Sequence, residues 1–198
     1  MNSVVAAPHT IRKHEEFECW AAATSGYDRL LALEASEASY AADIWGEWGI
    51  PYVLFEPVET PRRQGRHRIC GPLFNQAWSA LLDGATGYSH VLSLDTDVVP
   101  DGDILGAMES AYDGSVCFLR HGVPWREAYH RPGQFAYETS CTFGSIEAWR
   151  AALDKVQELG GLATLYGVVG DPDLFTHEDV RLLTLHHLES YLPERKDA

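Results

Sequence analysis

Asp95 and Asp97, one residue apart, stand where the apolar run Val91-Leu92-Ser93-Leu94 ends and Val98-Val99-Pro100 begins. Two carboxylates held that close repel each other, and a hard divalent cation relieves the repulsion. The run has the length of a buried strand, and Pro100-Asp101-Gly102 closes it as a turn. Acids at the carboxyl end of a strand lie where open α/β sheets place their ligands. Asp95 and Asp97 are therefore expected to hold a divalent metal; the competing reading is a pair of acids that merely cap a turn and the next helix. A second group with chemical capacity is basic: Arg62, Arg63, Arg66, His67 and Arg68 cluster in one short segment. They read either as an exposed basic loop or as a clamp for a phosphorylated ligand, whose oxygens match the guanidinium fork.

The elements that must position these residues follow from periodicity. Ser3 to Ala7 reads as a short strand ending in Pro8-His9-Thr10, and Phe17, Trp20, Ala21 and Thr24 share a helical stripe stopped by Gly26. Leu30 to Leu33 reads as a second strand with Glu34 at its end. Ala41, Ile44, Trp45 and Trp48 mark the buried stripe of a second helix, closed by Gly49 and Pro51. Tyr52 to Phe55 is expected as a third strand, and Glu56 to Gly71 as a loop that carries the basic cluster. Phe74, Ala77, Trp78 and Leu81 place a third helix, ending near Gly84, directly before the acid-bearing strand. Beyond that strand, Asp101 is expected to cap a helix buried through Leu105, Met108 and Tyr112. Ser115 to Leu119 and Phe135 to Phe143 read as strands. Ser145 should cap a helix with Ile146, Trp149, Leu153 and Val156 on one stripe, stopped by Gly160-Gly161. Leu162 to Val169 is expected as a further strand, and Val180 to His186 as a short strand or helix. The β-α alternation of the first half predicts an α/β protein with a mostly parallel central sheet and helices on both faces.

The totals agree with a globular enzyme-sized unit. At 198 residues the chain suffices for one well-cored domain, and residues 193–198 are expected to fray. Fifteen Lys and Arg against 29 Asp and Glu leave a formal net charge of -14, which disfavours a surface built to neutralise nucleic-acid phosphates. Cys19, Cys70, Cys117 and Cys141 lie far apart, so neither a structural zinc site nor a disulfide framework is expected. No signal-peptide pattern and no apolar run of membrane-spanning length occurs, and a cytoplasmic location is the expectation.

Taken together, the residues resemble a GT-A-type (Rossmann-like) nucleotide-sugar-dependent glycosyltransferase, family-2-like and containing a D-x-D motif. Asp95-Thr96-Asp97 after Val91-Leu92-Ser93-Leu94 is similar to that family's metal-binding D-x-D. Asn75 opens a helix before that strand, as the family's donor-side Asn does, and His177-Glu178-Asp179-Val180 resembles the acidic element that supplies the base of inverting members. The resemblance departs at the end of the first strand, where Pro8-His9-Thr10 stands in place of an aromatic and Asn. It implies that Asp97 ligates Mn²⁺ or Mg²⁺ directly, and that Asp95 binds the donor ribose or the metal through water. It further implies that Pro8, Thr10, Glu34, Asn75, Thr96 and Arg68 line the nucleotide; Glu34 reads equally as a solvated turn acid. His186 or His187 would close the metal shell. A carboxylate-plus-imidazole shell favours Mn²⁺ over Ca²⁺, and the two rings would point to opposite faces of a strand, so only one reaches the metal. The competing reading is a surface or core histidine. Asp179 is the preferred base, with Glu178 beside it and Asp171, Asp173 and Glu138 as competitors. Residues 1–97 would form the donor half and 98–192 the acceptor half of a single domain. The donor would be a UDP- or GDP-type sugar, and the acceptor a glycan or small molecule, with a nucleic acid possible through the basic cluster. Trp125, Tyr129, His130, Phe135 and Tyr137 read either as a stacking face for an acceptor sugar or as a packed irregular loop.

Two other classes compete. Asp95-Thr96-Asp97-Val98-Val99 also looks like the first motif of haloacid-dehalogenase-type phosphatases, with Lys155 and Gly170-Asp171-Pro172-Asp173 as later motifs. There the nucleophile normally ends the first core strand, whereas three β-α units precede Asp95. The other alternative is a nucleotide- or carbohydrate-binding module without turnover.

Overall fold

The computed structural model describes residues 1–11, 14–57, 71–100, 102–112, 114, 117–120, 137–158, 181–183 and 188–190. The chain opens β1 (Ser3–Pro8), α1 (His14–Ala23), β2 (Arg29–Glu34), α2 (Ala38–Trp48) and β3 (Tyr52–Phe55). Then come α3 (Gly71–Gly84), β4 (His90–Leu94), β5 (Val98–Pro100) and α4 (Ile104–Ala111). β6 (Cys117–Arg120), β7 (Tyr137–Ser145), α5 (Ile146–Glu158), β8 (Arg181–Leu183) and β9 (Leu188–Ser190) complete it. Among the described residues the main sheet runs β3-β2-β1-β4-β7-β6-β8, and β5 pairs with β9 in a separate two-stranded ribbon. β3, β2, β1 and β4 are mutually parallel; β7 lies antiparallel between β4 and β6, and β8 is parallel to β6. The expected mostly parallel α/β sheet is present.

Strands buried on both faces read as continuous apolar runs, and β1, β2 and β4 do. Alternate residues divide between two cores. Val4, Ala6, Leu30, Ala32 and Val91 pack under α3 and α5, against Trp78, Leu81, Leu82, Trp149 and Val156. Val5, Ala7, Leu31, Leu33, Leu92 and Leu94 pack under α1, α2 and α4, against Phe17, Trp20, Ile44, Ile104 and Met108. In the first core the rings of Trp78 and Trp149 stack with centroids 5.0 Å apart, joining α3 to α5. Arg29, at the start of β2, donates to Ala21 O at 2.8 Å and Trp48 O at 3.1 Å, so one guanidinium satisfies carbonyls at the carboxyl ends of α1 and α2. Gly49, with φ +62°, ends α2 in the left-handed region that suits glycine. No helix of the described residues is long and apolar enough to cross a membrane.

Three local expectations change. The cap of α4 is Asp103, whose carboxylate accepts from Gly106 N at 2.9 Å. Gly102 (φ +78°) turns the chain before the helix starts, so the oxygen three residues ahead of the third amide belongs to Asp103, while Asp101 lies outside the described residues. The buried stripe of α4 is accordingly Ile104 and Met108, with Leu105 and Tyr112 only partly covered. Trp45 is 54% exposed, because α2 meets the sheet on the narrower stripe of Ala41 and Ile44. Ser145 does cap α5, accepting from Ala148 N at 3.1 Å. Within Val180 to His186 the described part, Arg181–Leu183, is strand, and the strand expected over Leu162 to Val169 lies outside the described residues.

Candidate active site

The chain builds β2 and β3 on one side of β1 and then crosses to place β4 on the other. That reversal is a topological switch point at the carboxyl ends of β1 and β4, the place where open parallel sheets bind ligands. Pro8-His9-Thr10 reaches it from β1 and Asp95-Thr96-Asp97 from β4. The acid turn is closed by Val98 N donating to Asp95 O at 2.9 Å. Asp95 and Asp97 are partly exposed on either side of Thr96, which is only 1% exposed.

Strand alternation explains this split. Leu92 and Leu94 face α1 and α2, and Thr96 points the same way, as do Val5, Ala7 and His9 in β1. His9, 6% exposed, meets Thr96 there: Nδ1 lies 2.9 Å from Thr96 Oγ1, and Nε2 lies 3.0 Å from Tyr40 Oη. The imidazole packs on Phe17 with ring centroids 4.5 Å apart. Tyr40 Oη also contacts His14 Nδ1 at 3.1 Å. Burial, followed by the negative charges of Glu37 and Glu18, pushes the Tyr40 phenol up to about 12, so it stays a neutral donor and acceptor at physiological pH.

Thr10 donates from Oγ1 to Glu37 Oε1 at 2.8 Å, and the same oxygen accepts from Ile11 N at 3.3 Å. Glu37 Oε2 is buried without a hydrogen-bond partner among the described residues. Glu34 is half-buried at the end of β2, where its Oε2 accepts from Ser36 Oγ at 3.4 Å. Asn75 is buried in the first turns of α3, which starts at this same edge because it follows β3 and must return to begin β4. Of the expected site, Pro8, Thr10, Glu34, Asn75, Asp95, Thr96 and Asp97 thus share one edge of the sheet.

Arg68 and the rest of the basic cluster, Glu178, Asp179, His186 and His187 lie outside the described residues. So do Asp171 and Asp173, and the aromatic candidates Trp125, Tyr129, His130 and Phe135. The ribbon bears on them through its ends alone: Val98 pairs with Ser190 and Pro100 with Leu188, so the backbone of β9 runs beside the segment that follows Asp97. Lys155 forms an exposed pair with Glu158 on α5, at 2.8 Å.

The donor set suits a shared cation rather than a closed cage. Mg²⁺ keeps several waters and takes one or two carboxylates plus substrate phosphates. Asp95 and Asp97 offer two hard oxygen donors on one turn, and among the described residues no group of three or more His, Cys, Asp or Glu forms a metal cage. A separate groove of about 730 Å³, lined by Ile11, His14, Tyr40, Asp43 and Glu47 among others, lies along α2. It meets the site at Tyr40 and at Ile11, which donates to Glu37. The acid turn, at the topological switch, is the better candidate for chemistry.

Sequence reasoning placed Pro8 and Thr10 along a nucleotide but missed the hub that His9 forms and the contact of Glu37 with Thr10. The parity of β1 carried the first signal, since His9 continues the Val5-Ala7 face toward Phe17. Glu37 left none, because it meets Thr10 only after the chain has returned through β2.

No family model matches the chain, and no curated relative does either. Solved structures do. The chain superposes on 4-diphosphocytidyl-2C-methyl-D-erythritol synthase from Anaerococcus prevotii with a TM-score of 0.59 and 11% identity, over 96% of this chain and 90% of that one. Its fold is GT-A-like. The apo-form glycosyltransferase GlyE of Streptococcus pneumoniae gives a TM-score of 0.55 at 11% identity, over 92% of this chain and 45% of that one. The inositol-1-phosphate CTP transferase of T. maritima gives 0.53 at 8%, over 93% and 84%. The structural neighbours therefore include both glycosyltransferases and nucleotidyltransferases, and at these identities the likeness is one of fold.

Proposed function

We propose that this GT-A-like chain is a metal-dependent glycosyltransferase that moves a sugar from a nucleoside-diphosphate donor to an acceptor hydroxyl. The observation that carries the reading is the placement of Asp95-Thr96-Asp97 at the switch point between β1 and β4. In this reading one domain divides its labour. Residues 1–97 take the donor, with Pro8, Thr10, Glu34 and Asn75 around the nucleoside and Arg68 against the diphosphate. Asp97 and Asp95 hold Mn²⁺ or Mg²⁺, with His187 or His186 completing the shell. The cation, when bound, supplies Lewis-acid neutralisation of the departing diphosphate. Residues 98–192 present the acceptor, and Asp179, with Glu178 beside it, takes the acceptor hydroxyl proton. The freed oxygen attacks the anomeric carbon, the bond to the diphosphate oxygen breaks, and the nucleoside diphosphate leaves.

Titration of the protein with UDP-, GDP- and dTDP-sugars in Mn²⁺ tests this directly. At least one donor should bind and be slowly hydrolysed, and Asp97→Asn should weaken the binding about 100-fold and abolish the hydrolysis. Failure of every donor to bind, with and without metal, removes the reading.

Nucleotidyl transfer is a second reading, supported by the fold likeness to two nucleotidyltransferases alongside the glycosyltransferases. Release of pyrophosphate from a nucleoside triphosphate and a sugar phosphate, with no turnover of nucleotide sugars, would favour it.

A further inference from the structure

We propose that His9 is a positioning residue for the acid turn, holding Thr96 and through it the backbone that carries Asp95 and Asp97. This deepens the function proposed above and rests on that reading only for the cation.

The imidazole is held from three directions by elements distant in sequence: Thr96 on the turn after β4, Tyr40 on α2, and the Phe17 ring on α1. Its own backbone is pinned as well, His9 N donating to Ala32 O at 2.8 Å. A neutral imidazole has one donor and one acceptor nitrogen, and either assignment completes the chain of bonds. In one, His14 donates to Tyr40, Tyr40 to His9 Nε2, and His9 Nδ1 to Thr96, which leaves the Thr96 proton for an acceptor at the turn. In the other, every bond runs the opposite way. Both fix the position of Thr96 Oγ1. Because Thr96 is the residue between the two acids, any rotation of its peptide planes swings both carboxylates. The backbone bond from Val98 N to Asp95 O closes the turn, and this side-chain bond ties it to β1 as well.

The test compares His9→Phe, Thr96→Val, Thr96→Ser and Tyr40→Phe with the parent by amide hydrogen exchange and by Mn²⁺ titration of the unliganded protein. His9→Phe keeps the ring stack on Phe17 and removes both nitrogens; Thr96→Val removes only the hydroxyl. In both, exchange at Asp97 and Val98 should accelerate by about tenfold or more while amides of β1 and β4 keep their rates. Mn²⁺ should bind about 10–100-fold more weakly, the usual cost of losing a group that orients a metal ligand. Thr96→Ser, which retains the hydroxyl, should restore both values, and Tyr40→Phe should show a smaller change of the same sign. Unchanged exchange at the turn in Thr96→Val overturns the proposal. So does equal acceleration throughout the sheet, which would make His9 a packing residue only. If the parent binds no Mn²⁺, either alone or with a nucleoside diphosphate, yet turn exchange responds to Thr96→Val, the tether stands and the metal-dependent transferase reading falls.

Discussion

Two histidines mark opposite edges of the same sheet, and they are used in opposite ways. His9, beyond the carboxyl end of β1, has both ring nitrogens within hydrogen-bond distance of side chains from other elements. His90, at the amino end of β4, is used for its ring faces. It stacks on Phe143 with centroids 5.5 Å apart and meets Tyr112 edge-on at 4.8 Å, and its one side-chain polar contact is Ser89 Oγ, next to it in sequence, 2.8 Å from Nδ1. Burial, then the nearby N-terminal ammonium, lowers the His90 pKa, and Glu109 opposes that only in part. The histidine at the amino end of β4 is thus held by packing, and the one beyond the carboxyl end of β1 by polar groups brought from several elements. In a parallel sheet the loops after the strands all emerge at the carboxyl edge, so polar residues from many segments converge there.

Substitutions can break this contrast, and the largest effect should come from the shared core. Trp149→Ala removes the ring stacked on Trp78 and the bond that Trp149 Nε1 donates to Val91 O at 3.5 Å, beside His90. It should cost about 3–5 kcal/mol of unfolding free energy in urea titration. Because Trp149 sits under the amino edge, a variant still folded should retain most of its affinity for ligands of the acid turn. Next, Asp97→Asn should weaken nucleoside-diphosphate binding in Mn²⁺ by about 100-fold, or about 2.7 kcal/mol by calorimetry. His90→Phe should leave that affinity unchanged. Equal losses from the two would dissolve the distinction between the edges.

A smaller effect is expected where β5 leaves the carboxyl edge for α4. A methyl group on Gly106 would collide with the Asp103 carboxylate that caps the helix. Gly106→Ala should therefore lose about 0.5–2 kcal/mol through the broken cap, despite the better helix propensity of alanine. The smallest effect is pH-dependent. His90 is held below its ordinary pKa of 6.5, so the folded chain resists a proton that the unfolded chain accepts. Stability should be unaffected by this group above 6.5 and fall as pH drops below it. The slope should shrink in His90→Phe, measured by thermal unfolding between pH 7 and pH 5 (an order-of-magnitude window about the histidine range).

The acid turn was legible because everything that defines it is local. Val91 to Leu94 is apolar but for Ser93, and acids followed by Pro100 and Gly102 mark the end of the strand within about ten residues. The stripes of α1 and α3 and the cap at Ser145 were legible for the same reason: one turn of helix contains the whole signal. Trp45 misled because amphipathic spacing shows which residues are apolar, not how wide a strip of helix the sheet will cover. Asp101 misled because the choice between neighbouring acids as cap rests on where Gly102 turns the chain.

By itself, then, the sequence determined the elements, their amphipathic faces, and the two carboxylates at the end of a buried strand. Only the tertiary structure decided the strand order that puts β4 beside β1, and hence the switch point that the two strands share. It alone brought Thr96 to His9 across 87 residues and Thr10 to Glu37 across 27. Periodicity is written within a few turns of chain. A hydrogen bond between distant side chains leaves no local trace, because it depends on how whole elements pack after the chain has closed on itself.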